Sequence, residues 1–133
     1  MVEPSPETVP VEVMAYHQPD DLPRVRAFAQ RRAEDLGMTA DQVMSLVIAV
    51  SELVTNTLQH TSGGGRVRIW AENGQVTCDV IDHGPMRALG RRMPTPDAER
   101  GRGLAIVERL CGRVDAIAGD EGTIVRLGFA IGR

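Results

Sequence analysis

The sequence lacks the features that mark several broad classes of protein. It contains no apolar run of about 18 residues and no signal-peptide pattern, so we expect neither a membrane-spanning helix nor a membrane partner. Basic residues are not in excess, since the net charge is −3 at pH 7, which argues against direct nucleic-acid binding. The two cysteines, Cys78 and Cys111, fit no metal-binding or redox spacing, and we expect buried free thiols. These absences together predict a cytoplasmic protein in a reducing compartment.

The length and composition predict one folded domain. The chain has 133 residues, of which 42% are hydrophobic, and this is enough to form a single core. Residues 1–8 carry two prolines and two acids, so we expect a disordered N-terminus followed by one domain over 9–131. Residues 85–100 are rich in proline and arginine and have no clean period. They predict a long loop, which in a small domain is usually functional or mobile.

Local patterns predict an α+β fold. Two alternating runs flank Asn73-Gly74, which is the strongest two-residue hairpin signal, and three glycines at 63–65 break the chain before them. The predicted elements are a strand over 9–16, a helix from Asp20 or Asp21 to Gly37, a helix from Thr39 or Asp41 to about residue 60, a hairpin over 66–82, a helix over 103–112 and a hairpin over 113–131. Helices grouped against antiparallel strands predict a two-layer α/β sandwich.

The helix predicted over 41–60 carries two stripes. At about 100° per residue, its aliphatic residues form a core face of Val43, Val47, Val50, Val54 and Leu58, with Leu46 and Leu53 at one edge. Glu52, Asn56 and His60 form a second stripe at four-residue spacing. This stripe is either a solvated polar face or a site at which a carboxylate and an amide, one turn apart, point at one ligand. The stripe alone does not decide between these two interpretations.

Two further motifs each have a structural and a functional interpretation. Asp82-His83-Gly84 ends the first hairpin. It is either a turn or an acceptor for an amino group, with glycine leaving room for a planar ligand. Gly101-Arg102-Gly103-Leu104 opens the helix after the long loop, and free N–H groups at a helix start bind phosphate. Two glycines before a helix are a weak signal by themselves.

Taken together and in this order, the three motifs resemble the Bergerat-fold, or GHKL, ATPase domain. The correspondence is Glu52, Asn56 and His60 for the N box, Asp82 and Gly84 for the G1 box, residues 101–104 for the G2 box, and Gly122 with Thr123 for the terminal Gly-Thr. The resemblance covers about residues 9–130. It implies a mixed, mostly antiparallel sheet covered by helices on one face.

The length of the chain and its N box look like those of the stand-alone anti-sigma-factor serine/threonine kinases of bacterial stress and sporulation switches. Such kinases use ATP and Mg²⁺, hold a sigma factor inactive and phosphorylate a small anti-anti-sigma protein of the STAS type. The resemblance therefore implies an ATP-dependent serine/threonine protein kinase, present as a homodimer, with these two partners. In the family the first helix and the nearby sheet edge contact partners, which draws attention to Arg24, Arg26 and Arg31.

The resemblance also implies a role for each matched residue. Glu52 would act as the general base, and Asn56 would bind Mg²⁺. Asp82 would accept a hydrogen bond from the adenine amino group, with support from the Thr123 hydroxyl. The remaining cofactor contacts are assigned to His60, Gly84, Arg100, Gly101, Arg102, Gly103 and Leu104, beneath a lid formed by residues 85–100.

One departure from the family pattern keeps an alternative open. Pro85 and Met86 stand where the G1 box continues to its second glycine, and proline fixes φ and removes a backbone donor. The alternative is a nucleotide-insensitive anti-sigma module that keeps the fold and binds a partner by its surface. A third interpretation is a catalytic fragment that serves a separate histidine-kinase core.

Overall fold

The protein folds into two layers, with helices on one side of a sheet. The computed structural model describes residues 11–60, 64–82, 110–119 and 122–131. The elements it describes are β1 (Glu12–Tyr16), a 3-10 turn (Pro19–Asp21), α1 (Leu22–Asp35), α2 (Ala40–His60), β2 (Gly65–Glu72), β3 (Gln75–Asp82), β4 (Arg113–Gly119) and β5 (Gly122–Ala130). The predicted N-terminus at 1–8, the lid at 85–100 and most of the helix predicted over 103–112 lie outside the described residues.

The sheet has five strands in the order β1-β2-β3-β5-β4 among the described residues. Each pair of neighbours in this order is antiparallel, so the part of the sheet that the structure describes is wholly antiparallel, whereas the resemblance implies a mixed sheet. β1 and β4 form the two edges, and β3 lies in the centre. The predicted α+β class and the two-layer arrangement are confirmed.

Both predicted hairpins form where the sequence placed them. β2 and β3 join through Asn73 and Gly74, whose φ angles of 51° and 76° are both positive, as a two-residue hairpin turn of this kind requires. β4 and β5 pair from Gly119 and Gly122 outwards, so the second turn lies within the predicted segment. The outer ends of both hairpins lie within one residue of the predicted bounds.

Short polar contacts fix where the helices begin. The backbone N–H groups of His17 and Gln18 donate to the Asp21 carboxylate at 2.8 and 3.2 Å, which lowers the pKa of Asp21 and fixes the turn before α1. At the start of α2, the Thr39 N–H donates to Gln42 Oε1 at 3.0 Å and the Gln42 N–H donates to Thr39 Oγ1 at 3.1 Å. This reciprocal pair is a capping box, so Thr39 and not Asp41 caps α2.

The main core lies between the helices and one face of the sheet. Its fully buried members include Val25 and Ala29 of α1, Leu46, Val50 and Val54 of α2, and Val67, Ile69, Val76, Cys78 and Leu127 of the sheet. Leu46 and Leu53 lie inside this core and not at its edge, whereas Val47 and Leu58 are only partly buried. The buried stripe is displaced because α2 packs against α1 as well as against the sheet.

The opposite face of the sheet carries a row of alternating charges. The row consists of successive register partners: Arg68 on β2, Asp79 on β3, Arg126 on β5 and Asp115 on β4. The Asp79 side chain is 0% exposed, and it accepts bonds from Arg126 Nε at 2.7 Å, Arg126 Nη2 at 2.9 Å and Arg68 Nε at 3.0 Å. Two guanidinium groups therefore compensate one buried carboxylate, as burial of a charge demands.

Trp70 completes this outer cluster. The guanidinium carbons of Arg68 and Arg126 lie 5.9 and 5.5 Å from the centroid of a Trp70 ring, within the range of cation–π attraction. The indole and the two arginine stems shield Asp79 from water on the face that the described helices leave uncovered. The central strands are thus tied together on both faces of the sheet.

Loss of the Asp79 charge should destabilise the fold. We expect Asp79→Asn to lower the free energy of unfolding by about 2 kcal/mol, because two arginines lose their shared charge-assisted partner. Asp115→Asn is the matched control, since Asp115 is 46% exposed and meets Arg113 at 3.1 Å at the surface. It should cost less than about 1 kcal/mol. Equal midpoint shifts of the two variants in urea denaturation would contradict the assigned role of Asp79.

Candidate functional site

One row of residues crosses the end of the sheet where the predicted site should lie. The row contains one residue from each strand, and each residue is the register partner of the next. In the order of the strands across the sheet, β1-β2-β3-β5-β4, these residues are Tyr16, Gly65, Asp82, Thr123 and Ala118. Residues that are directly opposite one another share a face of the sheet. Tyr16 belongs to the buried core cluster, so this row faces the helices. The row therefore brings residues from five strands to one end of the helix-covered face.

Asp82 and Thr123 form a pair within that row. They are directly opposite on β3 and β5, and such partners have Cβ atoms about 4.5–5.5 Å apart. Asp82 is half-buried and Thr123 is 9% exposed. The pair places a carboxylate acceptor beside a hydroxyl that can donate or accept. The structure thus brings together the two residues predicted to recognise adenine, although they are far apart in the chain.

Glu52 and Asn56 lie one turn apart on the second half of α2. Both side chains are half-buried, which places them at the border between the core and the surface. Helical residues four apart are neighbours on one side of a helix, so the carboxylate and the amide line the same stripe. His60 is the last residue of α2.

Tyr16 connects this helix to the end of β3. Its side chain is 0% exposed, and its Oη donates a hydrogen bond to the backbone carbonyl oxygen of Ile81 at 3.1 Å. The Thr57 side chain also hydrogen bonds to Tyr16. Thr57 follows Asn56 and Ile81 precedes Asp82, so one hydroxyl joins the two motifs. This contact shows that the second half of α2 lies over the row that contains Asp82.

Gly65 leaves the space that the Tyr16 side chain needs. β2 runs between β1 and β3, so a tyrosine on β1 must pass over β2 to reach a carbonyl on β3. A Cβ atom on Gly65 would collide with the Ile81 carbonyl oxygen and would lie only 2.7 Å from Tyr16 Oη. Position 65 therefore requires glycine because the neighbouring groups leave no space for a side chain.

The environment of Tyr16 keeps its hydroxyl protonated. Burial raises the pKa of Tyr16 to about 12, the hydrogen bond with Thr57 acts to lower it, and the charge of Asp82 raises it further. The Asp82 carboxylate is thus close enough to affect the phenol electrostatically. At neutral pH the hydroxyl is a stable donor to the Ile81 carbonyl.

Tyr16, Thr57 and Gly65 were not predicted as site residues. The sequence pattern places Tyr16 in the first strand and the three glycines at 63–65 at a break in the chain, and it indicates no site role for them. A signal was present, because Tyr16 is the only tyrosine of the chain and Thr57 directly follows Asn56 of the N box. Neither feature indicates a contact without knowledge of how β1 and α2 pack.

The remaining predicted site residues lie outside the described part of the chain. These are Gly84, Arg100, Gly101, Arg102, Gly103 and Leu104, together with the side chain of His60. Among the described residues, no group of three or more His, Cys, Asp or Glu side chains could hold a metal ion. An Mg²⁺ ion bound with a nucleotide uses one or two protein ligands and takes the rest from phosphates and water. Asn56 offers one amide oxygen of the required hard type.

A separate cavity of about 250 Å³ opens at the other end of the molecule. It lies between the start of α2 and the end of β5, lined by Asp41, Gln42, Ser45, Leu110, Gly112, Phe129 and Ala130. Thr123 lies at the start of β5 and Ala130 at its end, so this cavity is remote from the Asp82 row. It contains none of the predicted site residues.

Two predictions about general chemistry can be compared with the structure. Cys78 and Cys111 are free and buried, and burial raises the pKa of both thiols, that of Cys111 to about 11. The prediction of buried free thiols is confirmed. Within the described residues, no helix is both long enough and apolar enough to cross a membrane.

The sequence and the fold match known proteins. The profile of the histidine kinase-like ATPase domain matches residues 16–129, and the chain therefore belongs to this family of ATP-binding domains. The predicted resemblance to GHKL ATPases is confirmed. The matched span begins at Tyr16 and includes Glu52, Asn56, Asp82 and Thr123.

A solved structure shares the same fold. It is the crystal structure of the RsbU and RsbW domains of Rv1364c from Mycobacterium tuberculosis, with a TM-score of 0.70 and 24% sequence identity. The alignment covers 94% of this chain and 33% of that one, so this chain spans about a third of the length of the solved structure. No curated protein matches the sequence.

The buried tyrosine predicts a specific titration. Because Tyr16 is the only tyrosine, phenolate absorbance in the near ultraviolet reports its ionisation alone. We expect a midpoint near pH 12 in the folded protein and near 10.0, the ordinary pKa of a tyrosine, in denaturant. The raised pKa means that this contribution to stability is complete below pH 10 and is lost as the pH rises towards 12. A folded-state midpoint near 10, read immediately after a pH jump, would contradict the buried contact.

Proposed function

We propose that this chain binds Mg·ATP and transfers the γ-phosphoryl group to a serine or threonine of an anti-anti-sigma protein, while also sequestering a sigma factor. The observation that carries the proposal is the Tyr16 contact, which brings the helix of Glu52 and Asn56 over the row of Asp82 and Thr123. Membership of the histidine kinase-like ATPase family supports the ATP-binding part. The serine/threonine specificity and both protein partners are inferred from the resemblance of the N box.

The paired Asp82 and Thr123 would bind the base. A carboxylate accepts a hydrogen bond from the adenine 6-amino group, and a neighbouring hydroxyl supplies a second polar contact. Both groups are at least half-buried, so hydrogen bonds to a bound base would be made where competition from water is weak. Gly84 would leave room for the plane of the base beside them.

The stripe on α2 would serve the phosphates and the acceptor hydroxyl. Phosphoryl transfer needs positioning and neutralisation of charge more than covalent catalysis by the protein. Asn56 would hold Mg²⁺, which would supply positive charge to neutralise the phosphates. Glu52, one turn earlier, would accept the proton of the attacking hydroxyl. Arg100, the backbone of residues 101–104 and Arg102 would contact the phosphates.

The first helix would present the surface that partners recognise. Arg24 and Arg31 are exposed on α1, and the Arg24 side chain is 68% exposed with Asp21 3.7 Å away. Arg26 differs, since its Nε donates to Ser51 Oγ at 2.8 Å and so joins α1 to the residue before Glu52. Arg24 is therefore the cleaner probe of partner contact. A homodimer would use the same region and the β1 edge.

A second candidate function is a nucleotide-insensitive anti-sigma module. Pro85 and Met86, in place of the usual glycine of the G1 box, favour it. The half-buried carboxylate and amide retained on α2 favour the kinase instead, because a site without a ligand gains nothing from withdrawing polar groups from water. Nucleotide titration separates the two candidates.

Substitutions on α2 should separate nucleotide binding from phosphoryl transfer. In calorimetric titration with ATP and ADP, Asn56→Ala should weaken the Mg²⁺-dependent affinity by at least about tenfold, because a ligand to the ion is lost. Glu52→Ala should leave ATP affinity nearly unchanged and lower phosphotransfer at least about a hundredfold, because the base is lost.

Ser45→Ala is the control for this pair of variants. Ser45 is a half-buried polar residue near the start of the same helix, and it lies on the remote cavity and not on the stripe. It should bind ATP and transfer phosphate as the unmodified protein does. Undiminished phosphotransfer by Glu52→Ala would exclude Glu52 as the base. Absence of ATP binding by the unmodified protein at millimolar nucleotide would favour the second candidate function.

Charge reversal on α1 should weaken partner capture. Arg24→Glu is expected to reduce binding of recombinant sigma factors from the same genome by about tenfold, through loss of electrostatic complementarity, without changing ATP affinity. Arg113→Glu is the matched control. The Arg113 side chain is also 68% exposed, and it also contacts one acid, Asp115. Both residues lie on β4, the edge strand on the other side of the sheet from β1. Equal binding by both variants would refute a partner surface on α1.

A further inference from the structure

Tyr16 has no assigned role in the proposed reaction, yet it contacts both halves of the candidate site. We propose that Tyr16 is a positioning residue for base recognition, which holds the Ile81–Asp82 peptide in place and so determines selectivity for a purine that carries a 6-amino group. The inference rests on the proposed ATP site. It concerns a residue that would not touch the nucleotide and would act through Asp82.

The first argument is the position of the hydrogen bond. Tyr16 Oη donates to the carbonyl oxygen of Ile81 at 3.1 Å, and that carbonyl belongs to the same peptide group as the N–H of Asp82. Asp82 is the last described residue of β3, where its register partners are Gly65 and Thr123. Because this peptide group is held in place, the position of the Asp82 Cα atom, from which the side chain extends, is held as well. The carboxylate then has less freedom to move away from a bound base.

The second argument is that this arrangement is built into three strands. Tyr16, Gly65 and Asp82 are register partners on β1, β2 and β3, and the glycine between the outer two leaves the passage for the tyrosine ring. A side chain on β2 at this point would block the contact. An ordinary core tyrosine does not need a glycine on the neighbouring strand to reach a carbonyl on the strand beyond.

The third argument is the connection to α2. Thr57 hydrogen bonds to Tyr16, so the phenol is held from the helix side as well. The Leu53 carbonyl oxygen, 3.1 Å from Thr57 Oγ1, is the alternative acceptor for the single Thr57 hydroxyl proton. The residue before Thr57, Asn56, belongs to the proposed phosphate end of the site. Tyr16 therefore sets the position of the base-recognising carboxylate relative to the helix that would bind the metal and phosphates.

The chemical consequence is selectivity and not only stability. A fixed carboxylate accepts a hydrogen bond from a 6-amino group, but it gains nothing from a purine that lacks this group. If the carboxylate is free to move, it loses the bond to the amino group, and the two purines are bound almost equally. A residue that holds the carboxylate should therefore affect ATP more than an analogue without the amino group.

Tyr16→Phe tests this prediction, because it removes only the hydroxyl and keeps the ring in the core. Each protein is titrated with ATP and with purine riboside 5′-triphosphate, both with Mg²⁺. We expect the substitution to weaken ATP binding by about tenfold, and binding of the analogue by less than about twofold, as loss of one positioning hydrogen bond implies. Val76→Ala, a core truncation at the other end of β3, is the control for loss of stability and should change neither affinity.

A backbone measurement keeps this inference separate from the proposed function. The amide resonance of Asp82 should shift in Tyr16→Phe and stay in place in Val76→Ala, with or without nucleotide. Equal weakening of both nucleotides by Tyr16→Phe, or no weakening, would overturn the positioning role. If the unmodified protein binds neither nucleotide, the result contradicts the proposed function and also the inference that Tyr16 affects binding of a 6-aminopurine nucleotide. An unmoved Asp82 resonance would overturn the inference even where ATP binds.

Discussion

The candidate site depends on one buried hydrogen bond, from the Tyr16 hydroxyl across Gly65 to the Ile81 carbonyl. It joins residues 65 positions apart and crosses a whole strand. Together with the Thr57 hydrogen bond to the same hydroxyl, it relates the end of β3 to the second half of α2. A directional bond between a rigid aromatic ring and the backbone leaves less freedom, and a site that recognises a planar base needs that constraint.

The two faces of the sheet carry different interactions, one set for stability and the other for the candidate site. On the outer face, Asp79 and two arginines hold β2, β3 and β5 together through charge-assisted bonds. On the helix-covered face, aliphatic packing fills the middle, and the polar row with Asp82 and Thr123 is confined to one end. This separation lets the central strands act as a firm support for groups at their ends. The thiols of Cys78 and Cys111 pack in the core, and burial raises their pKa and so keeps them protonated.

Much of the fold could be predicted because its signals are local. Asn73-Gly74 requires a tight turn, Thr39 and Gln42 form a cap within one turn of helix, and alternation in β2 and β3 predicts which residues face the core. The depth of each side chain was less predictable. Leu46 and Leu53 appeared peripheral on a helical wheel, but α1 covers that side of α2 and places them in the core.

The sequence by itself determined that Glu52 and Asn56 lie on one side of a helix, because a spacing of four residues brings two side chains together in any α-helix. It also determined the two hairpins. The tertiary structure alone decided that Asp82 meets Thr123, that both face the helices and that Tyr16 reaches Ile81. These contacts follow from strand register, and a slip of one residue would turn Asp82 to the face of Asp79 and Arg126. The Asn73-Gly74 turn sets the register of β2 against β3, but the registers of β1 against β2 and of β3 against β5 join segments far apart in the chain, and no short segment of the sequence encodes them.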